Sequence, residues 1–99
     1  MNSDFYERIA KFSQVLYDRE RGTKKAVDQG IITMQELTTY HYINTLTNHF
    51  VAAEMGDSTN FKELWTEKFP KSIEDATKTF KISELEAKAI FEKVKDATH

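Results

Sequence analysis

Histidines 41, 49 and 99 are the first residues to test for chemistry, because imidazole binds metals and moves protons near neutral pH. On one helix, His41 and His49 stand about 12 Å apart along the axis and about 80° apart around it, too far to share an ion. His99 ends the sequence, and no His-Glu-x-x-His or paired Glu-x-x-His pattern occurs. The chain has no cysteine, hence no thiolate metal site, disulfide or thiol nucleophile. The serines stand mainly at helix-capping positions, and no Gly-x-Ser-x-Gly elbow is present. The three glycines are scattered, so no loop cradles a phosphate. The acid pairs Glu74/Asp75 and Glu84/Glu86 fall at expected helix starts, where the macrodipole accounts for them. The expectation is a protein that is not an enzyme, with no catalytic set, no metal and no cofactor.

Two further patterns bear on calcium and DNA binding. Gly30 to Leu37 resembles the second half of an EF-hand loop, with a glycine, an isoleucine pair and Glu36 as the closing acid. The positions that should supply oxygen ligands hold Lys25, Val27 and Gln29, so a helix C-cap followed by an N-cap is the better reading. A similar ending at Glu63 places Ala52, Glu54 and Gly56 at those positions. The second pattern, from Ser72 to Phe91, loosely resembles a helix-turn-helix, with Ala76 and Phe80 packing before the Ile82-Ser83 turn and Ala87 and Ile90 after it. Arg19, Arg21, Lys24 and Lys25 would then supply phosphate contacts. Lys81 stands where such a turn usually wants glycine, and Glu84 and Glu86 would point carboxylates at the DNA. This is the alternative functional reading.

The strongest feature is an absence. Charged residues make up 30% of the chain, yet none occurs from Leu37 to Ala53. On a helical wheel, Tyr42, Ala53, Leu46, Thr39, Phe50 and Ile43 gather on one side, the expected core face. Opposite lie His41, Asn44, Thr45 and Asn48 at i, i+3, i+4 and i+7, with Tyr40 and Val51 at one edge. Neutral amide, hydroxyl and imidazole groups lose water at far lower cost than Lys or Glu, and their hydrogen bonds are directional. Interface centres show the same depletion of charge. Tyr40, His41, Asn44, Thr45 and Asn48 are therefore the candidate partner-binding residues. A segment wrapped on both sides by its own fold would also lack charge, and the two readings differ in the exposure of Asn44 and Asn48.

The elements that must position this face read as helices. Phe5, Ile9, Phe12 and Leu16 form an apolar stripe, with Asn2 or Ser3 as cap and Gly22 as its end or kink. A short helix near residues 24–29 should stop at Gly30 in a left-handed cap. Thr33 and Glu36 form a capping box ahead of the central helix, which runs to about Met55-Gly56. Asn60 opens a helix carrying Phe61, Leu64, Trp65 and Phe69, which Pro70 should end. Ser72 starts a short helix, and Ser83 with Glu86 caps another.

The expected fold is therefore an all-α, compact single-domain bundle of about five or six helices over residues 1–99, with a tri-helical unit at 61–97. No run is long and apolar enough for a membrane span, the first residues do not resemble a signal peptide, and the cytoplasm is the expected compartment. The formal net charge of −2 exerts no general pull on nucleic acid. The function expected is a small macromolecule-binding regulator, inhibitor or adaptor whose partner is another protein or a second copy in a homodimer.

Overall fold

A computed structural model describes residues 3–98, with side chains from residue 4 onward. Among them are five helices and no strand: α1 (Ser3–Arg19), α2 (Arg21–Asp28), α3 (Met34–Glu54), α4 (Phe61–Phe80) and α5 (Glu84–Thr98). None is long and apolar enough to cross a membrane. The all-α bundle expected from the sequence is present. The cap assigned to Asn2 or Ser3 lies outside the described side chains, as does His99.

Local chemistry sets most boundaries. At Thr33 both halves of the capping box close: the Glu36 N–H donates to Thr33 Oγ1 at 3.0 Å, and the Thr33 N–H donates to Glu36 Oε1 at 2.9 Å. Asn60 Oδ1 and Ser83 Oγ accept from the N–H groups of Glu63 and Glu86 at 3.1 and 3.0 Å. α2 ends in a Schellman pattern around Gly30, whose φ of 73° suits glycine. There the Ile31 N–H donates to Ala26 O and the Gly30 N–H to Val27 O.

Three expectations are corrected. The break after α1 falls at Glu20, not Gly22, which lies inside α2. The Glu20 N–H closes the last turn of α1 on Leu16 O, and its C=O accepts from the Lys24 N–H to open α2, with extended backbone between. This placement turns Thr23 and Ala26 into the core. Pro70 does not end its helix: α4 runs through it to Phe80. Leu64, Lys68, Ser72, Ile73 and Ala76 are buried along one continuous face, and burial on both sides of Pro70 outweighs its missing N–H. Ser72 accordingly caps nothing; it is buried and accepts a hydrogen bond from Thr47 Oγ1 at 2.7 Å. Residues 61–98 thus form two helices, not three.

α3 is the central element, packed against α1, α4 and α5, while α2 bridges α1 and α5. Tyr42 meets Phe5 of α1 and Phe80 of α4 edge-on, and Tyr40 meets Phe91 of α5 at 4.8 Å. The Tyr42 hydroxyl donates to the Asp75 carboxylate, and Thr79 Oγ1 lies 3.1 Å from the same hydroxyl. Burial and the Asp75 carboxylate both push the Tyr42 phenol above its ordinary pKa. The α3 termini are tied by charge. Lys93 of α5 grips Glu36 at 2.9 and 3.1 Å, and Lys68 buries its stem against the bundle while its ammonium pairs with Glu54.

Candidate functional site

The wheel assignment for α3 is met in part. Thr39, Tyr42 and Ile43 are fully buried, but Leu46 and Phe50 are half-buried and Ala53 is exposed. Leu37, Thr38, Thr47 and Val51 are buried as well. The first half of α3 is therefore covered from several directions, while its second half keeps Thr47 and Val51 buried and turns its other faces toward the surface.

The five candidate residues follow that gradient. Tyr40 is only 7% exposed, its ring held between Phe91 and His41, so it forms floor more than surface. Burial, helped by the charge of Glu92, raises its pKa. His41 is half-buried, with its ring edge-on to Phe12 at 5.2 Å. Asn44 and Thr45 are half-buried and Asn48 is exposed. His49 sits against Phe5 at 5.9 Å, so the two histidines of α3 serve separate aromatic contacts.

Around these residues three hollows open in sequence. The first, about 320 Å³, lies between α1 and α3 and is lined by Phe5, Arg8, Ile9, Phe12, Thr45 and His49. The second, about 280 Å³, runs from Phe12 and Leu16 past His41 and Asn44 to Glu20, Thr23 and Thr98. The third, about 420 Å³, is bounded by Asn44 and Asn48 on α3, Phe61, Lys62 and Trp65 on α4, and Phe91 and Lys95 on α5, above Tyr40. The first two share Phe12; the second and third share Tyr40 and Asn44. They form one trough with a neutral polar floor, which all five candidates line. Its walls expose Phe12 at 46% and Phe61 at 53%, with half-buried Trp65 beside Phe61.

The sequence pattern puts Phe12, Phe61 and Trp65 on core faces and singles out neither Lys62 nor Lys95. Two signals pointed to the walls. With Val15, which is 43% exposed, the apolar band of α1 is wider than one packing seam can cover. Phe61 follows its N-cap directly, and a side chain in the first turn of a helix has no preceding turn of its own to lie against.

The basic segment has a different character. Lys24 lies 4.5 Å over the Tyr17 ring, 3.2 Å from the Tyr17 hydroxyl and 3.2 Å from Asp28. Tyr17 and Asp28 raise its pKa, while Tyr17 and Lys24 lower that of Asp28. Its charge is thus shared within the α1–α2 corner. Arg19, Arg21 and Lys25 are exposed around the Glu20 break, far from a linear stripe along one helix.

Two larger hollows, each about 450 Å³, complete the set. One opens at the start of α4, around Asn60, Lys62, Glu63 and Thr66, and adjoins the third hollow through Lys62. The other has Phe80, Ile82 and Ile90 in its lining and carries the Glu36–Lys93 pair at its edge. Neither gathers more than one neutral polar residue of the uncharged segment. Compared with known proteins, the chain matches no protein-family model, no curated protein and no solved structure.

Proposed function

We propose that this chain works by binding another protein along the α3 trough, as a regulator, inhibitor or adaptor, without catalysis. The observation that carries the reading is that His41, Asn44, Thr45 and Asn48, on the uncharged stretch of α3, stand half-buried to exposed among hollows whose walls expose Phe12 and Phe61. Aromatic rings supply area at low conformational cost, and the two amides supply register. A second copy of the chain is the competing occupant of the same trough.

The test is the pair Asn44→Lys with Asn48→Glu. Both side chains line the trough, and neither is fully buried, so the variant should keep its helical circular dichroism and melting temperature. Cross-linking in cells of origin, followed by mass spectrometry, should recover a partner with the wild type and lose it with the variant. Light scattering at two concentrations separates self-association from capture of a foreign protein. A partner retained at full occupancy by the folded variant would remove α3 from the interface.

The helix-turn-helix alternative uses α4, the residue 81–83 turn and α5. Lys81 adopts the left-handed conformation (φ 56°) that such a turn requires. The first turn of α5 nevertheless presents exposed Glu84 and Glu86 to the groove it would read. That reading predicts salt-sensitive duplex binding weakened by Lys24→Ala with Lys25→Ala, and a mobility shift at low salt checks it.

A further inference from the structure

The trough has a charge pattern of its own. The charged residues that line it are Arg8, Lys62, Lys95 and Glu20, a surplus of two positive charges on a chain whose formal net charge is −2. The largest of its three hollows, beside Trp65, is lined by Lys62 and Lys95 and by no carboxylate; Glu63 lines the adjoining hollow that shares Lys62. Glu92 is close enough to act on Tyr40 but does not line the hollow. Among the described residues neither Lys62 nor Lys95 forms an ion pair, a state they share with most cations of the chain, and here both stand at one hollow. Two cations without internal partners therefore flank an aromatic hollow whose inner wall is the amides of Asn44 and Asn48.

Resting on the protein-binding reading above, we propose that the occupant is a short acidic segment of the partner. Its apolar or aromatic anchor enters the Phe61–Trp65 hollow, and its carboxylates pair with Lys62 and Lys95. Three features select this chemistry. The hollow of about 420 Å³ has room for one large side chain. The exposed lysines at its rim favour anions at close range and add to the rate of encounter. The amides can satisfy backbone groups of an extended or helical segment without a charge of their own. A nucleic acid strand fits less well, because three cations neutralise few phosphates and the net negative chain repels a polyanion at longer range.

The experiment is selection of a phage-displayed library of random twelve-residue peptides on the immobilised wild-type protein, repeated on Lys62→Glu with Lys95→Glu. Both lysines are exposed, so the double variant should fold normally by circular dichroism. Expected are peptides with an aromatic or large aliphatic residue beside Asp or Glu. These should change the emission of Trp65, the one tryptophan in the chain, and bind the charge-reversed variant about tenfold more weakly. Enrichment of neutral or basic peptides, no enrichment at all, or acidic peptides that bind the variant equally well would overturn the proposal. So would an emission change on adding twelve-nucleotide oligo-dT that exceeds that of any selected peptide. The two readings fail separately: a partner lost with the Asn44/Asn48 variant but kept with the lysine variant leaves the trough a protein site and fells only the acidic assignment, whereas a partner kept by the folded Asn44/Asn48 variant removes the broader reading.

Discussion

Replacing Pro70 by alanine should stabilise this protein, and the size of the gain follows from where the ring sits. Pro70 is an exposed residue in the middle of the twenty-residue helix α4, so its ring contributes no core packing that alanine would lose. It lacks the N–H that would donate to Thr66 O, and its ring crowds the preceding turn. Together these make proline about 3 kcal/mol worse than alanine inside a helix. Proline also restricts the unfolded chain, and alanine gives back about 0.4–1 kcal/mol of that advantage. The net expectation is a gain of about 2 kcal/mol, or roughly 10 °C in melting temperature for a domain of this size. Urea titration followed at 222 nm should show a higher midpoint with an unchanged slope, which separates added stability from a change in exposed surface. A neutral or destabilising result would refute the continuous helix. It would mean that Pro70 occupies a helix end or first turn, where proline costs little.

Ser13 is fully buried on α1, and its hydroxyl has no hydrogen-bond partner among the described residues, so Ser13→Ala should raise stability by about 1 kcal/mol. A loss in the same urea titration would show that the hydroxyl is hydrogen-bonded in solution. Lys81 holds a left-handed backbone at the C-cap of α4; Lys81→Gly should relieve that conformation and add about 1 kcal/mol, read by thermal denaturation. Glu36 has its pKa lowered: burial pushes it up, but the bonds from Lys93 and the Thr33 N–H outweigh burial. A folded-state pKa below the ordinary 4.5 gives stability that is complete above 4.5 and is lost as pH falls through the lower folded value. Wild type should therefore lose more stability on acidification below pH 4.5 than Glu36→Gln does, and parallel pH profiles for the two would contradict the Lys93 contact.

The elements legible in the sequence are those fixed by local chemistry. Thr33 with Glu36, Asn60, Gly30 and Ser83 each satisfy backbone groups within a few residues of themselves, and each lies at a helix end in the structure. The break at Glu20 and the passage of α4 through Pro70 were not legible, because both are decided by which residues must reach a distant core. Thr23 and Ala26 set the first, and Leu64 through Ala76 set the second. The same division runs through the candidate site. The neutral floor could be read from the spacing of His41, Asn44, Thr45 and Asn48, whereas the walls depend on how α1 and α4 lean on α3, which no local pattern records.

The lack of charge along α3 has two causes, and burial accounts for only one of them. Leu37 through Tyr40, Tyr42, Ile43, Thr47 and Val51 are enclosed by α1, α4 and α5, where an unpaired Lys or Glu would lose its hydration. At Asn48, His49, Ala52 and Ala53 the side chains are exposed, and solvent there would accept a lysine or glutamate at almost no cost to folding. Elsewhere the exposed positions of this chain are rich in such residues; in α5 alone, Glu84, Glu86, Lys88, Glu92, Lys93, Lys95 and Asp96 are all exposed. His49 meets the Phe5 ring, but folding gives no comparable reason for neutrality at Asn48. The proposed partner surface would supply one, because Asn48 lines the hollow that Lys62 and Lys95 rim.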